Sequence, residues 1–113
     1  IRDYIHVSDL ADIHMKVLKK ISEEKNPIIL NCGYGKGYSV LDIIKIFKKI
    51  VKNVEIIYLN RRPGDVAKIY SNTYKLKKYL NWKPKFNNIK YILISAINWE
   101  KKLLKIKKKK IKY

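Results

Sequence analysis

Cysteine, glycine, proline and arginine are all scarce in this chain. Its 113 residues include one cysteine, four glycines and three prolines. A single cysteine excludes a disulfide framework within the chain and fits a reducing, cytoplasmic compartment. Because Cys32 ends an apolar run, we expect it to be a small buried hydrophobe and not a reactive thiol. No stretch approaches the roughly 18 consecutive apolar residues of a membrane span, so we expect no membrane partner.

Acidic residues are also few, and the formal net charge is +18. Such a charge ordinarily indicates nucleic acid or an anionic membrane surface as a partner. However, Lys, Ile, Asn and Tyr together make 61 of the 113 residues, and these are the amino acids that A/T-rich codons encode. The lysines are spread over every predicted helix, apart from the run Lys107 to Lys112. We therefore expect no nucleic-acid partner, and a basic nucleic-acid-binding module stays an alternative.

Arginine occurs only three times, at Arg2, Arg61 and Arg62, whereas lysine occurs 24 times. All three arginines lie in two short segments, R-D-Y-I-H-V and R-R-P-G-D. A guanidinium is a rigid fork that can hold two phosphate or carboxylate oxygens at once, while a lysine ammonium is a mobile point charge. The sequence therefore predicts that these two segments carry the function.

The hydrophobic pattern predicts an α/β fold, with buried parallel strands alternating with amphipathic helices. Ser39 is expected to cap one of these helices, with Asp42 completing a capping box. Trp82 is expected to anchor the loop after the third helix. The predicted strands are Tyr4–Val7, Ile28–Asn31 and Val54–Leu59, and the predicted helices follow Val7, follow Ser39, and cover Thr73–Leu80 and about Asn88–Leu104.

Three other patterns resemble functional motifs. Gly33, Gly35 and Gly37 fit neither G-x-G-x-x-G nor the P-loop spacing, so a tight turn is favoured over a phosphate cradle. Tyr74 and Lys78 form Y-x-x-x-K, which chance supplies in a chain this rich in tyrosine and lysine. The last pattern is an acidic and histidine-rich group whose side chains should point in different directions, so we expect no metal site. This group consists of Asp3, His6, Asp9, Asp12 and His14.

The ordered motifs of the chain resemble the carboxy-terminal third of the UDP-glucose 4-epimerase family, within the extended short-chain dehydrogenase/reductases. The resemblance covers nearly the whole chain up to about Leu104. It rests on R-D-Y-I-H-V-S-D-L-A-D-I-H at 2–14, N-C-G-Y-G-K-G-Y-S-V-L-D at 31–42, R-R-P-G-D at 61–65, L-N-W-K-P-K-F at 80–86 and N-W-E-K-K-L at 98–103.

This resemblance implies an enzyme that interconverts UDP-glucose and UDP-galactose through a 4-keto intermediate, using a bound NAD. It also implies that Arg2, Tyr4, Arg62 and Asp65 contact the diphosphate and ribose of the UDP-sugar substrate. Two guanidinium groups would offset the charge of the diphosphate, and a carboxylate can accept hydrogen bonds from ribose hydroxyls.

We further expect the chain to be a carboxy-terminal fragment, because it starts at Ile1 in what reads as the end of a strand. The NAD fingerprint and the catalytic tyrosine and lysine would then precede it, and the fragment alone would be inactive. Residues 1–38 are expected to complete the edge of a Rossmann-like parallel sheet, residues 39–104 to form a small substrate-binding lobe, and residues 105–113 a basic tail. The resemblance also implies a homodimer for the full-length protein.

The same fold could serve another nucleotide-sugar reaction. A dehydratase or a decarboxylase would bind the nucleotide with the same carboxy-terminal residues, because these residues recognise the nucleotide and not the chemistry at carbon 4 of the sugar. This alternative stays open beside the nucleic-acid-binding module.

Overall fold

The structure is a computed structural model that describes the backbone of residues 1–110 and the side chains as far as Lys107. Helices make up its regular secondary structure. In chain order they are α1 (Val7–Ile21), α2 (Val40–Ile50), α3 (Tyr74–Leu80) and α4 (Ile89–Lys110). Each of the four lies where the hydrophobic pattern predicts a helix.

Helix α1 begins at an unusual cap. His6 has an extended backbone, and its Nδ1 accepts a hydrogen bond of 3.1 Å from the amide of Ser8. Asp9 lies in the first turn, and Lys19 and Lys20 lie in the last turn, so the side-chain charges at both ends oppose those of the helix dipole. These local interactions fix where the helix starts.

Helix α2 begins with the predicted capping box. Ser39 Oγ accepts from the Asp42 amide at 3.1 Å, and Asp42 Oδ2 accepts from the Ser39 amide at 3.1 Å. The hydrogen bonds from Ser39 hold the pKa of Asp42 below its usual value. Because two of the free amides at the helix start are satisfied, the turn from the glycine segment into α2 is well defined.

The core lies between α1, α3 and the loop that follows α3. Asn81 ends α3 in the left-handed conformation, with φ 46°, and the next residue, Trp82, is only 2% exposed, as predicted. The rings of Trp82 and Tyr34 are stacked with centroids 6.3 Å apart. The buried hydrophobic residues are Ile13, Tyr34, Leu76, Leu80 and Trp82, with Cys32 partly buried at the edge of the core.

The three predicted strands are not present within residues 1–110, where Arg2 and Tyr38 form one isolated antiparallel bridge. The predicted edge of a parallel sheet is therefore not confirmed. A strand needs a neighbour to accept and donate its backbone hydrogen bonds, and the described chain offers none to 28–31 or 54–59. Both segments leave large apolar side chains in solvent, with Ile29 79% and Leu59 83% exposed.

Helix α4 packs against α2 and continues past the predicted end at Leu104 to Lys110. It therefore enters the segment 105–113 that the sequence assigns to a basic tail, of which residues 111–113 lie outside the described part. Within the described residues, no helix is both long enough and apolar enough to cross a membrane.

Candidate functional site

The structure brings the two arginine-containing segments together. A guanidinium nitrogen of Arg2, Nη2, forms an ion pair with Oδ1 of Asp65, and Nη1 of the same side chain donates to the Ile1 carbonyl at 2.9 Å. The two side chains remain 36% and 53% exposed, so the pair lies at the surface and is open to a ligand. Residues far apart in sequence thus form one charged site.

The R-R-P-G-D segment is a tight turn. The Asp65 amide donates to the Arg62 carbonyl at 3.2 Å, and Gly64 adopts φ 78°, a left-handed conformation that glycine takes without steric cost. Arg61 Nη2 donates to the Asp65 carbonyl at 3.0 Å. The guanidinium of Arg61 therefore braces the turn that presents Asp65 to Arg2.

The other two predicted site residues differ in their surroundings. Arg62 is exposed, and its guanidinium forms no hydrogen bond or ion pair with the side chains that the structure describes. Tyr4 is half-buried, two residues along the chain from Arg2. Of the four predicted residues, Arg2 and Asp65 are in direct contact, while Arg62 is linked to them through the backbone of its turn.

Asp3, which the sequence offered as a candidate metal ligand, instead joins two distant segments to the start of the chain. Its carboxylate accepts hydrogen bonds from three backbone amides, those of Tyr34 at 3.1 Å, Gly35 at 2.9 Å and Ser71 at 3.3 Å. The donors come from two segments that are distant in sequence, and therefore no local pattern could have revealed them. The one signal in the sequence was the position of Asp3 between Arg2 and Tyr4, two residues that are predicted to contact the substrate.

The glycine segment 33–37 is not a phosphate cradle. The amides of Tyr34 and Gly35 point at the carboxylate of Asp3, so they are not free to bind an anion. The segment also does not fit an NAD diphosphate, because the chain has no G-x-G-x-x-G spacing here. The alternative of a tight turn leading into α2 is the one that the structure supports.

Asp9 is the centre of a buried polar network. Its carboxylate is 1% exposed and accepts from the Tyr34 hydroxyl at 2.6 Å and from the amides of Lys85 and Phe86 at 3.1 and 2.9 Å. Burial raises the pKa of Asp9, but these hydrogen bonds outweigh that effect and hold it below its usual value. Burial and the bond to Asp9 raise the pKa of Tyr34 to about 12.

His6 belongs to the same network. Because its Nδ1 accepts from the Ser8 amide, the proton is on Nε2, which lies 3.0 Å from Ser95 Oγ. The backbone amide of His6 donates to the Tyr34 hydroxyl at 3.1 Å. The network thus ties α1 to α4 and to the glycine segment.

The residues considered for a metal site are engaged in such structural contacts. Asp12 accepts from the Trp82 indole at 3.2 Å, and His14 lies 2.8 Å from the Leu10 carbonyl through its Nδ1. The described residues contain no group of three or more His, Cys, Asp or Glu side chains placed to hold a metal ion. Burial raises the pKa of the Cys32 thiol, which favours the uncharged form expected of a packing residue.

Comparison with a solved structure defines the class of protein. The chain matches the crystal structure of UDP-glucose 4-epimerase from Bifidobacterium longum in complex with NAD+ and UDP, with a TM-score of 0.79 and 39% sequence identity. The match covers 88% of this chain and 30% of that one. The fold is therefore that of part of a Rossmann-like short-chain dehydrogenase/reductase. No protein-family model matches the chain.

Sequence relatives narrow the class further. The chain is 36% identical over 104 residues to UDP-glucose 4-epimerase from Azospirillum brasilense, covering 91% of this chain and 30% of the relative. It is 44% identical over 102 residues to UDP-arabinose 4-epimerase 1 from Arabidopsis thaliana, covering 89% of this chain and 24% of the relative. The chain is thus homologous to the carboxy-terminal part of the UDP-sugar 4-epimerases, and it spans less than a third of their length.

Proposed function

We propose that this chain is the UDP-binding, carboxy-terminal part of a UDP-glucose 4-epimerase that interconverts UDP-glucose and UDP-galactose. The observation that carries the proposal is the contact between Arg2 and Asp65, which joins the two arginine-containing segments into one exposed site. The homology of nearly the whole chain to UDP-sugar 4-epimerases supports it. Both lines of support point to recognition of the nucleotide.

In this proposal, Arg2, Tyr4, Arg62 and Asp65 contact the diphosphate and ribose. An exposed ion pair such as Arg2 with Asp65 contributes only about 0–1 kcal/mol, so a diphosphate can replace Asp65 as the partner of Arg2. Asp65 is then free to accept from ribose hydroxyls. The free guanidinium of Arg62 supplies a second fork, and charge-assisted bonds from two forks are stronger than the bond that is lost.

A bound NAD would supply the redox chemistry of the reaction, which is hydride transfer at carbon 4 of the sugar. Segments outside this chain would bind it, because the glycine segment here is occupied by Asp3 and lacks the required spacing. The role of this chain is to hold the nucleotide firmly. Binding energy placed on the remote nucleotide retains the substrate while its sugar reorients.

The proposal extends to the domain organisation. Residues 1–38 belong to the edge of the Rossmann-like sheet, residues 39–104 to the substrate-binding lobe, and residues 105–113 to a basic tail. The exposed apolar segments around Ile29 and Leu59 support this assignment, because they are the surfaces that neighbouring strands of a longer enzyme would cover. The longer enzyme is proposed to be a cytoplasmic homodimer.

A second candidate substrate is UDP-arabinose. The identity to the Arabidopsis UDP-arabinose 4-epimerase is 44%, compared with 36% for the Azospirillum UDP-glucose enzyme. Both substrates carry the same nucleotide, so the site described here would bind either. Product analysis of the intact enzyme with UDP-galactose and with UDP-arabinose shows which of the two sugars is epimerised. The same analysis would reveal the products of a dehydratase or a decarboxylase.

Titration of the chain with UDP and with single-stranded DNA tests the proposal. We expect saturable binding of UDP that weakens only moderately between about 50 and 200 mM salt, whereas binding to a long polyanion collapses over this range. Binding of DNA that collapses as the salt rises, without any binding of UDP, would instead support the nucleic-acid alternative. The chain alone, given NAD+ and UDP-galactose, should show no turnover, and turnover would contradict its assignment as a fragment.

A further inference from the structure

The carboxylate of Asp3 holds three separate segments at one point, beside the proposed nucleotide site. Residues 1–3 provide the carboxylate, the glycine segment provides the amides of Tyr34 and Gly35, and the chain after the R-R-P-G-D turn provides the amide of Ser71. Both carboxylate oxygens are used, because the Tyr34 amide lies 3.1 Å from each of them. Because all the partners are donors, this arrangement requires a carboxylate, which has two acceptor oxygens and no hydrogen to donate.

The backbone at Gly33 lies very close to the side chains of Asp3 and Ser71. A Cβ atom added at Gly33 would overlap Asp3 Oδ2 and would lie 2.6 Å from Ser71 Oγ. Ser71 Oγ also donates to the Cys32 carbonyl at 3.4 Å. The absence of a side chain at Gly33 therefore allows the carboxylate and Ser71 to meet.

The segment 67–71 runs alongside the first residues of the chain. The Ile69 amide donates to the Ile1 carbonyl at 3.0 Å, and the Ile1 nitrogen donates to the Ala67 carbonyl at 2.6 Å. On the other side, Arg2 and Tyr38 exchange two backbone hydrogen bonds of 2.9 Å. Arg2 is thus fixed between two segments. One of them, 67–71, is held to Asp3 through the Ser71 amide and follows Asp65 directly in the chain.

We propose that Asp3 is a positioning residue for the nucleotide site. By holding Ser71, its carboxylate keeps the segment 67–71 in place, and this segment sets the R-R-P-G-D turn beside Arg2. The proposal rests on the proposed function, because it concerns the same UDP site. Asp3 itself contacts no ligand, since its oxygens are occupied by amides.

The loss of the negative charge and the loss of the positioning role predict opposite changes in UDP affinity for the variant Asp3→Asn. Removing a negative charge near a diphosphate site should tighten binding of UDP if electrostatic attraction alone decides the affinity. An asparagine, however, places an amide group against the donors of Gly35 and Ser71, so the turn should lose its fixed position. We therefore expect Asp3→Asn to weaken UDP binding about tenfold, the effect of misplacing one charge-assisted contact.

The test uses isothermal titration of the 113-residue chain with UDP, together with amide hydrogen exchange by NMR. Asp9→Asn is the control, because it removes another multiply bonded carboxylate. Asp9 shares Tyr34 with Asp3, but its own donors are the Tyr34 hydroxyl and the amides of Lys85 and Phe86, and none of them belongs to the turn or to residues 67–71. Asp9→Asn should lower the stability of the chain. At a temperature at which this variant is still folded, its affinity for UDP should stay within about twofold of that of the wild type. In Asp3→Asn, exchange at Ile69 and Ser71 should speed up more than exchange at the core amides. In Asp9→Asn, which lowers the stability of the whole chain, Ile69 and Ser71 should show no such excess.

Each outcome decides one of the claims. Equal or tighter UDP binding by Asp3→Asn, or an equal loss in Asp9→Asn, would overturn the positioning role. If Asp3→Asn does not fold, Gly33→Ala replaces it: a Cβ there should push Asp3 from Ser71 and weaken UDP binding, and unchanged binding would overturn the proposal. If the wild type does not bind UDP, the proposed function fails, and unchanged exchange at Ser71 then also refutes the positioning role.

Discussion

Asp9 combines full burial with a negative charge. Its carboxylate is 1% exposed and receives a hydroxyl and two backbone amides as donors. A buried carboxylate is tolerated only when its hydrogen bonds are satisfied, and here they lower its pKa despite the cost of burial. This network is the main polar interaction that joins α1 to the loop before α4.

We predict that Asp9→Asn lowers the free energy of unfolding by about 3 kcal/mol, because an amide group would face the donors of Lys85 and Phe86. The folded-state pKa of Asp9 lies below the unfolded one. Its contribution to stability is therefore present above about pH 4 and is lost as the pH falls through the folded-state pKa. Thermal unfolding between neutral and acid pH checks this, and the variant should show a weaker acid dependence.

Glu55→Gln is the control for that experiment, because Glu55 is exposed and the change removes the same charge. It should leave the acid dependence of unfolding close to that of the wild type. An equal change in both variants would mean that net charge, and not the buried network, causes the acid sensitivity.

Helix starts in this chain depend on interactions that are local in sequence. The Ser39 and Asp42 side chains exchange hydrogen bonds with each other's amides, three residues apart, and such a box can be read directly from the residue types. His6 caps α1 through its imidazole, which is an atypical choice that residue preferences do not predict. Helix positions were therefore predictable, while one of the caps was not.

We predict that Ser39→Ala destabilises the chain by about 1 kcal/mol, because the Asp42 amide loses its acceptor at the start of α2. Ser8→Ala is the matched control, since Ser8 is exposed and contributes its backbone amide to the cap of α1. Chemical unfolding of the three proteins measures the difference. Equal stability of Ser39→Ala and the wild type would show that the capping box does not support the helix.

Strands were predicted less well than helices, for a physical reason. The segments 28–31 and 54–59 have the composition of buried strands, but a strand forms only when a neighbour supplies its hydrogen bonds. The candidate site shows the same division. The arginine content singled out the two segments that contain Arg2 and Asp65, whereas the three amides on Asp3 come together only through tertiary structure. Local rules cannot find contacts between segments that are far apart in sequence.

At the scale of the whole molecule, the chain is more extended than a compact domain of its size. Its radius of gyration is 17.9 Å, compared with about 13 Å expected for a compact chain of this length. Its accessible surface is 9818 Å², compared with about 6,500 Å² expected from its mass. The excess includes large apolar side chains, such as Ile57 and Leu59, that a partner surface would cover.

We predict that the isolated chain self-associates and binds a hydrophobic dye, because apolar surface of this extent favours association. The double variant Ile57→Lys and Leu59→Lys should reduce both effects, since the two side chains are 73% and 83% exposed. Analytical ultracentrifugation and dye fluorescence provide the measurement. A monomeric wild-type chain without dye binding would contradict the assignment of these segments as covered surfaces.

The central claim is that Arg2 and Arg62 bind one diphosphate. The most direct measurement is the UDP dissociation constant of the wild type, Arg2→Ala and Arg62→Ala, with Lys101→Ala as a control that removes the same charge from an exposed position on α4. We predict that each arginine variant weakens binding by about 10-fold to 100-fold, with the control within about twofold. Equal weakening in Lys101→Ala, or unchanged binding in either arginine variant, would contradict the claim.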